Sequence, residues 1–232
     1  SFFFWLASLF TLTLLFWKRE RTQSMEFRSR LDRMDGAWML LLFAMGIGVG
    51  TYNLQNLPSW MAADEGEFWG IARSIASGNF YPSFFDFGVY SFPIASSYFQ
   101  AAVLRLVGIN LWGWRFASVL AAFLSLFPLY LLGRELFNRR VAVAACVLMI
   151  FNPYTLAFAR LGYNNSQAIF PVVLTVYFFV LGLRRGSYFY LWLGGMAAGL
   201  GYYTYFAAWL GMVLIAIVTL ALPHLLRVPF RR

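Results

Sequence analysis

Charge, cysteine and histidine are all scarce in this sequence. Only 12% of its 232 residues are charged, whereas about a quarter are charged in an ordinary soluble domain. The single cysteine, Cys146, lies within an apolar run, and the single histidine, His224, has no metal ligand near it in the sequence. A disulfide framework and a cysteine or histidine metal cluster are therefore excluded, and Cys146 is predicted to be a packed thiol. No glycine-rich phosphate loop, zinc-ligand spacing or serine-nucleophile motif occurs, so no soluble nucleotide is expected as a ligand.

Long apolar runs stand where charge is missing. Apolar residues make up 61% of the chain and aromatic residues 21%, and about 20 apolar helical residues cross a hydrocarbon core. The last run would be about 52 Å long as one helix at roughly 1.5 Å per residue, so we divide it near the tyrosines at 202–205. We therefore predict an all-α polytopic transmembrane bundle of about seven spans, which excludes a soluble protein. The spans lie near residues 1–17, 37–57, 112–133, 141–159, 167–183, 188–203 and 206–222.

The basic residues are concentrated in short loops between these runs. Fourteen of the 18 Lys and Arg residues lie in four loops, at residues 18–33, 134–140, 184–185 and 227–232. Basic loops of transmembrane proteins lie mainly in the cytoplasm. Seven spans place all four loops there, whereas six spans would place the last loop on the opposite face. Membrane topology thereby explains the formal net charge of +9, and no nucleic acid partner is expected.

Residues 58–111 then form the large outer loop. This loop holds four of the five acidic residues that follow residue 36, namely Asp64, Glu65, Glu67 and Asp86. The cations outside the basic loops are predicted to face the same side, and they are Arg73, Arg105, Arg115 and Arg160. An arginine in a membrane or at its rim is costly unless it is paired or functional. We therefore expect any chemistry of this chain on its outer face.

A short interfacial helix is predicted for Gly66–Ser77, closed by Gly78. Asp64, just before it, is consistent with an N-cap that forms a capping box with Glu67. Alternatively, the adjacent carboxylates of Asp64 and Glu65 provide a general base or a cation site that faces a substrate. The two interpretations are compatible, because a capping acid can also be catalytic.

Aromatic residues and one arginine of the same region also allow two interpretations each. Residues 79–93 include seven aromatics, which form either an interfacial belt or the walls of a pocket for a sugar or a lipid chain. The belt is the simpler explanation. Arg115 either extends to the outer headgroups or holds a phosphate group, and the sequence does not decide between these roles.

Several segments, in order, resemble the membrane glycosyltransferases of the GT-C type that use polyprenyl-phosphate sugars. In particular, the segments resemble the bacterial relatives of the protein O-mannosyltransferases and the lipid A aminoarabinose transferases. The resemblance covers residues 37–222 and is carried by Ala63–Glu67, Ile75–Gly78, Trp114–Leu120, Asn152–Tyr154 with Phe158–Asn165, and Gly195–Tyr205.

The resemblance implies a glycosyltransferase that moves a sugar from a polyprenyl-phosphate donor to an acceptor hydroxyl with inversion. The expected location is the outer face of a bacterial inner membrane, with membrane lipids around the protein. The resemblance also implies that Asp64 is the general base with Glu65 as its neighbour, and that Arg115 is functionally important. The predicted phosphate-binding residues are the outer-face arginines Arg115, Arg160 and Arg73. The cofactor is left unknown, and a divalent cation is an open question.

The chain departs from the family in its extent and at one segment. Residues 1–36 form an extra span and a basic loop, residues 37–222 the glycosyltransferase-like domain, and residues 223–232 a basic cytoplasmic tail. The family's later spans and outer domain are absent, and the chain begins without Met, so we interpret it as the N-terminal half of an enzyme or a processed chain. Many relatives carry an acidic residue where this chain has Asn164-Asn165-Ser166-Gln167.

Two other classes of function are considered. A non-catalytic helical subunit of a larger membrane assembly, with other membrane subunits as partners, is the main alternative, and the missing C-terminal half favours it. A transporter is disfavoured, because no charged residue lies in the middle of a span and no internal repeat is evident.

Overall fold

The computed structural model describes residues 2–21, 31–61, 63–209, 211–213 and 215–217. Within these residues the regular secondary structure is helical, and strand-like pairing is limited to one isolated bridge between Phe87 and Pro93. The all-α prediction is therefore confirmed. Most of the first predicted basic loop and the whole C-terminal tail lie outside the described residues.

Polar residues between the apolar runs mark where several helices begin. Asn110, Asn138 and Asn152 precede three helices, and each side chain accepts a hydrogen bond from the backbone N–H three residues later, as an N-cap does. The α-helices in chain order are α1 (Phe2–Arg21), α2 (Arg33–Thr51), α3 (Ala63–Ala76), α4 (Ala95–Val107), α5 (Leu111–Leu124), α6 (Leu126–Leu136), α7 (Arg139–Phe151), α8 (Pro153–Arg160), α9 (Ile169–Arg185) and α10 (Tyr188–Tyr202). Two 3₁₀ segments lie at Val89–Ser91 and Asn164–Ala168.

Three helical segments are long and apolar enough to cross a membrane, at Arg33–Thr51, Leu111–Leu136 and Asn164–Arg185. Helices α7 and α8 add a fourth if the pair, bent by 56°, is one broken span. Pro153 at the start of α8 explains the break, because proline has no N–H to continue the ladder of α7. Shorter apolar helices lie at Leu6–Lys18 and Ala207–Ile217. The chain is an integral membrane protein, and the total of seven spans stays a prediction.

The core of the bundle lies between α2, α5, α6 and α7. Gly46 and Gly50 of α2 lie against the Phe123 ring of α5, and a Cβ atom at either glycine would lie 2.7 Å from that ring. Small residues permit this close helix approach. Cys146 is fully buried in the same core, which confirms that it is a packed thiol.

The bundle has two ends, which we name by their acidic residues. Helices α2, α6 and α7 meet at the Asp35 end. The guanidinium of Arg134 donates two hydrogen bonds to the buried Asp35 carboxylate, at 2.8 and 3.0 Å, and Arg139 donates another at 2.9 Å. The Tyr130 hydroxyl adds one more at 2.8 Å. The Asp64 end lies at the opposite end of α2, where α5 begins, and carries α3.

Candidate functional site

Helix α3 carries the two adjacent carboxylates predicted for the site. Its apolar face packs on α4 and α5. The chain turns after the helix at Gly78, whose φ of 76° suits glycine. Arg105 donates hydrogen bonds to the carbonyls of Ala76 and Ile75, at 2.9 and 2.8 Å, and so satisfies the last turn. The predicted short helix is thereby confirmed, although it begins at Ala63, three residues earlier than expected. Its position at the membrane interface stays a prediction.

The interpretation of Asp64 as an N-cap is wrong. Because α3 already begins at Ala63, Asp64 lies inside the first turn and not before it. Alanine has the highest helix propensity, which favours extension of the helix to this residue. A carboxylate in the first turn still interacts favourably with the helix dipole, and its oxygens stay available to groups outside the helix.

Asp64 and Glu65 have opposite environments, because adjacent residues of a helix point about 100° apart. Glu65 is completely buried, forms an ion pair with Arg115 at 3.2 Å, and accepts the Gly162 backbone N–H at 3.1 Å. Asp64 is exposed and accepts the Tyr90 hydroxyl at 3.1 Å. Among the described residues Asp64 has no ion pair.

Arg115 is also completely buried, and its guanidinium donors are bound to protein acceptors. Besides the Nε bond to Glu65, Nη1 donates to the carbonyls of Leu54 and Pro58 at 3.2 and 2.8 Å, and Nη2 to that of Trp60 at 3.0 Å. Arg115 thus ties α5 to α3 and to the segment after α2, and the interpretation that it extends to lipid headgroups is wrong. The predicted phosphate contact stays a prediction, and it would require some of these bonds to be exchanged.

The backbone of Gly162 also binds the Glu65 carboxylate. Its backbone N–H donates to Glu65, and its carbonyl accepts the Gln100 side-chain amide at 3.1 Å. A Cβ atom at this position would lie 1.7 Å from Nε1 of Trp114. A larger residue would therefore displace either the indole or the backbone group that binds Glu65.

The other two predicted phosphate-binding arginines differ in their surroundings. Arg160, at the end of α8, is half-buried and donates from Nη2 to the Tyr52 carbonyl, while its buried Nε finds no acceptor among the described residues. Arg73 is exposed in the last turn of α3. It lies nine residues from Asp64, which is about 13 Å along the helix axis. The fold therefore brings Arg115 and Arg160 together around the segment after α2 and does not bring Arg73 to Asp64.

Asp64 lies at a small cavity of about 80 Å³. Sequence reasoning did not assign four of its residues, because Tyr163, Asn164, Asn165 and Tyr205 are about 100 or more positions away from Asp64 in the chain. Tyr90 and Phe92 do come from the aromatic segment for which pocket walls were one interpretation. The full lining consists of Asp64, Phe68, Tyr90, Phe92, Tyr163, Asn164, Asn165 and Tyr205.

A second, larger cavity adjoins the first through Asn164. The Asn164 side-chain amide donates to Ser96 Oγ at 3.4 Å and to the Thr204 carbonyl at 3.3 Å. Ser96 and Thr204 in turn line an apolar cavity of about 440 Å³, together with residues such as Phe84 and Phe170. The hydrogen bonds of Asn164 thus connect the lining of the small cavity to that of the apolar one.

The charge of Asp64 acts on the hydroxyl groups around it. The hydrogen bond to Asp64 raises the pKa of Tyr90. Burial and the nearby carboxylates raise the pKa of Tyr163, and burial together with Asp64 raises the pKa of Tyr205. Within the described part of the chain, no three His, Cys, Asp or Glu side chains are grouped closely enough to hold a metal ion.

Comparison with protein families decides the classification. Residues 91–232 match the family described as dolichyl-phosphate-mannose-protein mannosyltransferase. The chain belongs to this mannosyltransferase family. The matched segment includes Arg115, Gly162 and Asn164 and begins after α3. No solved structure matches the chain.

Curated relatives of this mannosyltransferase-family chain are named undecaprenyl phosphate-alpha-4-amino-4-deoxy-L-arabinose arabinosyl transferases. Those of Pseudomonas paraeruginosa and Pseudomonas aeruginosa are each 33% identical over 189 residues, which is 78% of this chain and 34% of the relative. One from Pseudomonas fluorescens is 31% identical over 194 residues, covering 78% of this chain and 32% of its own length. The chain thus spans about a third of the length of these relatives.

Proposed function

We propose that the chain forms the base-bearing part of a membrane glycosyltransferase that moves a sugar from a polyprenyl-phosphate donor to an acceptor hydroxyl. The proposal rests on the different environments of the two adjacent carboxylates. Glu65 forms a buried ion pair with Arg115, while Asp64 lines a cavity and has no ion pair among the described residues. Since the curated relatives are named for undecaprenyl phosphate-4-amino-4-deoxy-L-arabinose, that lipid is the proposed donor.

The proposed step is a single displacement in which Asp64 acts as general base. The acceptor oxygen attacks the anomeric carbon from the face opposite the phosphate, and its proton passes to the Asp64 carboxylate. The bond between the anomeric carbon and the phosphate oxygen breaks, and its electron pair leaves with the lipid phosphate. This route inverts the configuration at the anomeric carbon. General-base catalysis of this kind contributes about 10²- to 10⁴-fold to the rate.

Each arginine then has a distinct proposed role. Arg160, whose buried Nε has no acceptor in the part of the chain that the structure describes, is best suited to meet the lipid phosphate, and a guanidinium can do so with two hydrogen bonds. Arg115 holds Glu65 and the segment after α2 in position, and it contacts phosphate only after exchange of its present bonds. Arg73 is the most distant and would act only through long-range attraction.

The proposed topology has seven spans, with the Asp35 end in the cytoplasm and the Asp64 end on the outer face of a bacterial inner membrane. The charges support this orientation, since Arg134, Arg139, Arg140 and the arginine pair at 184–185 lie at the Asp35 end or at the end of α9. The span in residues 1–36 joins the domain at 37–222, because Trp192 of α10 donates to Thr13 at 3.1 Å. Residues 223–232 would be a cytoplasmic tail.

A transfer assay with two matched carboxylate variants tests the proposal. The protein that carries this chain is reconstituted with the proposed donor, labelled in its sugar, and with membrane lipids as acceptors, and release of undecaprenyl phosphate is measured. Asp64→Asn should lower the rate about a hundredfold or more. Asp86→Asn is the control, because Asp86 lies in the same loop and accepts the Ser83 backbone N–H without lining the cavity. If Asp64→Asn transfers sugar at the normal rate, Asp64 is not the general base, and the non-catalytic subunit becomes the favoured role of this chain.

A further inference from the structure

The cavity beside Asp64 offers a hydrogen-bond acceptor that its own walls do not satisfy. Asn164 is only 1% exposed, and its Oδ1 has no hydrogen-bond donor among the described residues. The orientation of this amide follows from Thr204, whose backbone carbonyl can only accept and therefore faces the Asn164 NH₂. A buried acceptor without a partner is uncommon in folded proteins. Its position at a cavity wall indicates a ligand that donates a hydrogen bond.

Aromatic rings enclose the same cavity. Phe68 lies with its ring centroid 6.2 Å from Tyr90, 6.0 Å from Phe92 and 6.2 Å from Tyr163. Phe92 stacks on Tyr205 at 5.1 Å. The faces of aromatic rings attract cations, and groups of such rings bind ammonium ligands in other proteins.

The charges around the cavity favour a positive ligand. The residues that line the cavity include one carboxylate, Asp64, and no lysine or arginine. The nearest buried cation, Arg115, is neutralised by Glu65. Burial raises the pKa values of Tyr163 and Tyr205, and the negative charge of Asp64 raises them further. A positively charged ligand would be stabilised by both the charge of Asp64 and a hydrogen bond to Asn164 Oδ1. A neutral hydroxyl group would be stabilised by the hydrogen bond alone.

We propose that this cavity binds the primary ammonium group of the donor's amino sugar, with Asn164 Oδ1 as its hydrogen-bond acceptor and the rings of Phe68, Tyr163 and Tyr205 as its walls. The inference rests on the proposed function and makes Asn164 a specificity-determining residue. A volume of about 80 Å³ accommodates an amino group with the ring atoms next to it. Asp64 keeps an exposed carboxylate for the acceptor hydroxyl while its charge favours the ammonium.

Binding measurements with three lipids test this inference. The probes are bare undecaprenyl phosphate, undecaprenyl phosphate-4-amino-4-deoxy-L-arabinose, and the same lipid with its amine N-acetylated, each titrated into the reconstituted protein without acceptor. The wild-type protein should bind the amino form about tenfold or more tightly than the N-acetyl form, which is the size expected for one charge-assisted hydrogen bond. Asn164→Leu should remove this preference and leave the affinity for bare undecaprenyl phosphate unchanged.

Two further variants separate specificity from folding. Asn164→Asp keeps an acceptor oxygen at the same place and should retain the preference for the amino form. Asn138→Ala removes the N-cap of α7 at the other end of the bundle and should change none of the three affinities. A general loss of structure would instead weaken binding of all three lipids together.

The outcomes distinguish the inference from the function on which it rests. If wild-type protein binds the amino and N-acetyl lipids alike, or if Asn164→Leu keeps the preference, the ammonium site is wrong and the glycosyltransferase proposal stands. If none of the three lipids binds to wild-type protein, the proposed function fails and the inference fails with it. Loss of the preference in Asn164→Leu and its retention in Asn164→Asp would support the assignment.

Discussion

The two ends of the bundle use buried carboxylates in different ways. At the Asp35 end, one carboxylate accepts from Arg134, Arg139 and Tyr130 and joins three helices. At the Asp64 end, Glu65 has the same kind of structural role through Arg115 and Gly162, but Asp64 beside it is exposed at a cavity. A buried charge needs compensation, and both ends provide it. At the Asp64 end, a second carboxylate, that of Asp64, has no ion pair among the described residues and is available for chemistry.

The arginines that pair with the buried carboxylates also differ between the two ends. Arg115 is 0% exposed and pairs with the fully buried Glu65, whereas Arg134 is 24% exposed and shares Asp35 with Arg139. The Asp35 end therefore has redundant compensation. At the Asp64 end the ion pair is completely buried, which makes the position of its carboxylates sensitive to Arg115.

The largest expected effect is on stability at the Asp64 end. Arg115→Met should lower the free energy of unfolding by about 3–5 kcal/mol, because it removes the buried ion pair between Arg115 and Glu65. Arg134→Met should cost clearly less, since Arg139 still compensates Asp35. Chemical denaturation of both variants in detergent measures the difference, and adding Glu65→Gln to Arg115→Met should recover part of the loss. Equal losses in the two single variants would break the comparison between the ends.

The second prediction separates the two members of the acidic pair. Asp64→Asn should change the free energy of unfolding by less than about 0.5 kcal/mol, as is usual for exposed positions, while it lowers sugar transfer about a hundredfold or more. Glu65→Gln should mainly lower stability, because Arg115 loses its charged partner. Denaturation and transfer rate measured on the same preparations test this split. A large stability loss in Asp64→Asn would show that Asp64 is also structural.

The third prediction concerns the glycine that holds Glu65. Gly162→Ala should cost about 1–3 kcal/mol, the range for overpacking, because its Cβ would overlap the Trp114 indole. Gly195→Ala in α10 is the matched control, since no atom lies within 4 Å of a Cβ there. Thermal unfolding should rank Gly195→Ala at or above wild type and Gly162→Ala well below it. Similar melting temperatures for the two variants would contradict the close approach at Gly162.

The smallest expected effect is at the surface of the Asp35 end. The hydrogen bond from Arg139 lowers the pKa of Asp32 below its ordinary value of 3.8. This contact therefore adds stability above about pH 3.8 and loses it as the pH falls through the lowered pKa. Asp32→Asn keeps a good helix cap but removes the charge, so its melting temperature should lie slightly below that of wild type at pH 7. The difference should vanish in strong acid, and a difference that persists there would exclude the ion pair as its cause.

Much of the fold could be predicted from local pattern. The length of the apolar runs predicted the membrane bundle. Apolar residues at helical spacing, followed by Gly78, predicted the short helix α3. The divided run near residues 202–205 also matches a helix end at Tyr202. These features depend on residues close in sequence, which is why pattern alone predicts them.

The site could be predicted only in part. The outer acidic pair, Arg115 and the segment around Asn164 were all recognised as unusual, but their roles were not separable. The start of α3 was placed too late, and this error made Asp64 an N-cap. The two interpretations of Arg115 did not include the one that the structure shows, a buried tie to Glu65 and three backbone carbonyls.

By itself the sequence determined that this chain is a helical membrane protein with its carboxylates and aromatics concentrated in one loop region, because hydrophobicity and helix signals act over short distances. Only the tertiary structure decided that Glu65 points inward and Asp64 outward, and that Asn164 meets Asp64 across 100 positions of chain. The physical reason is that a helix directs neighbouring side chains to different faces. Which face is buried depends on helices far away in the sequence.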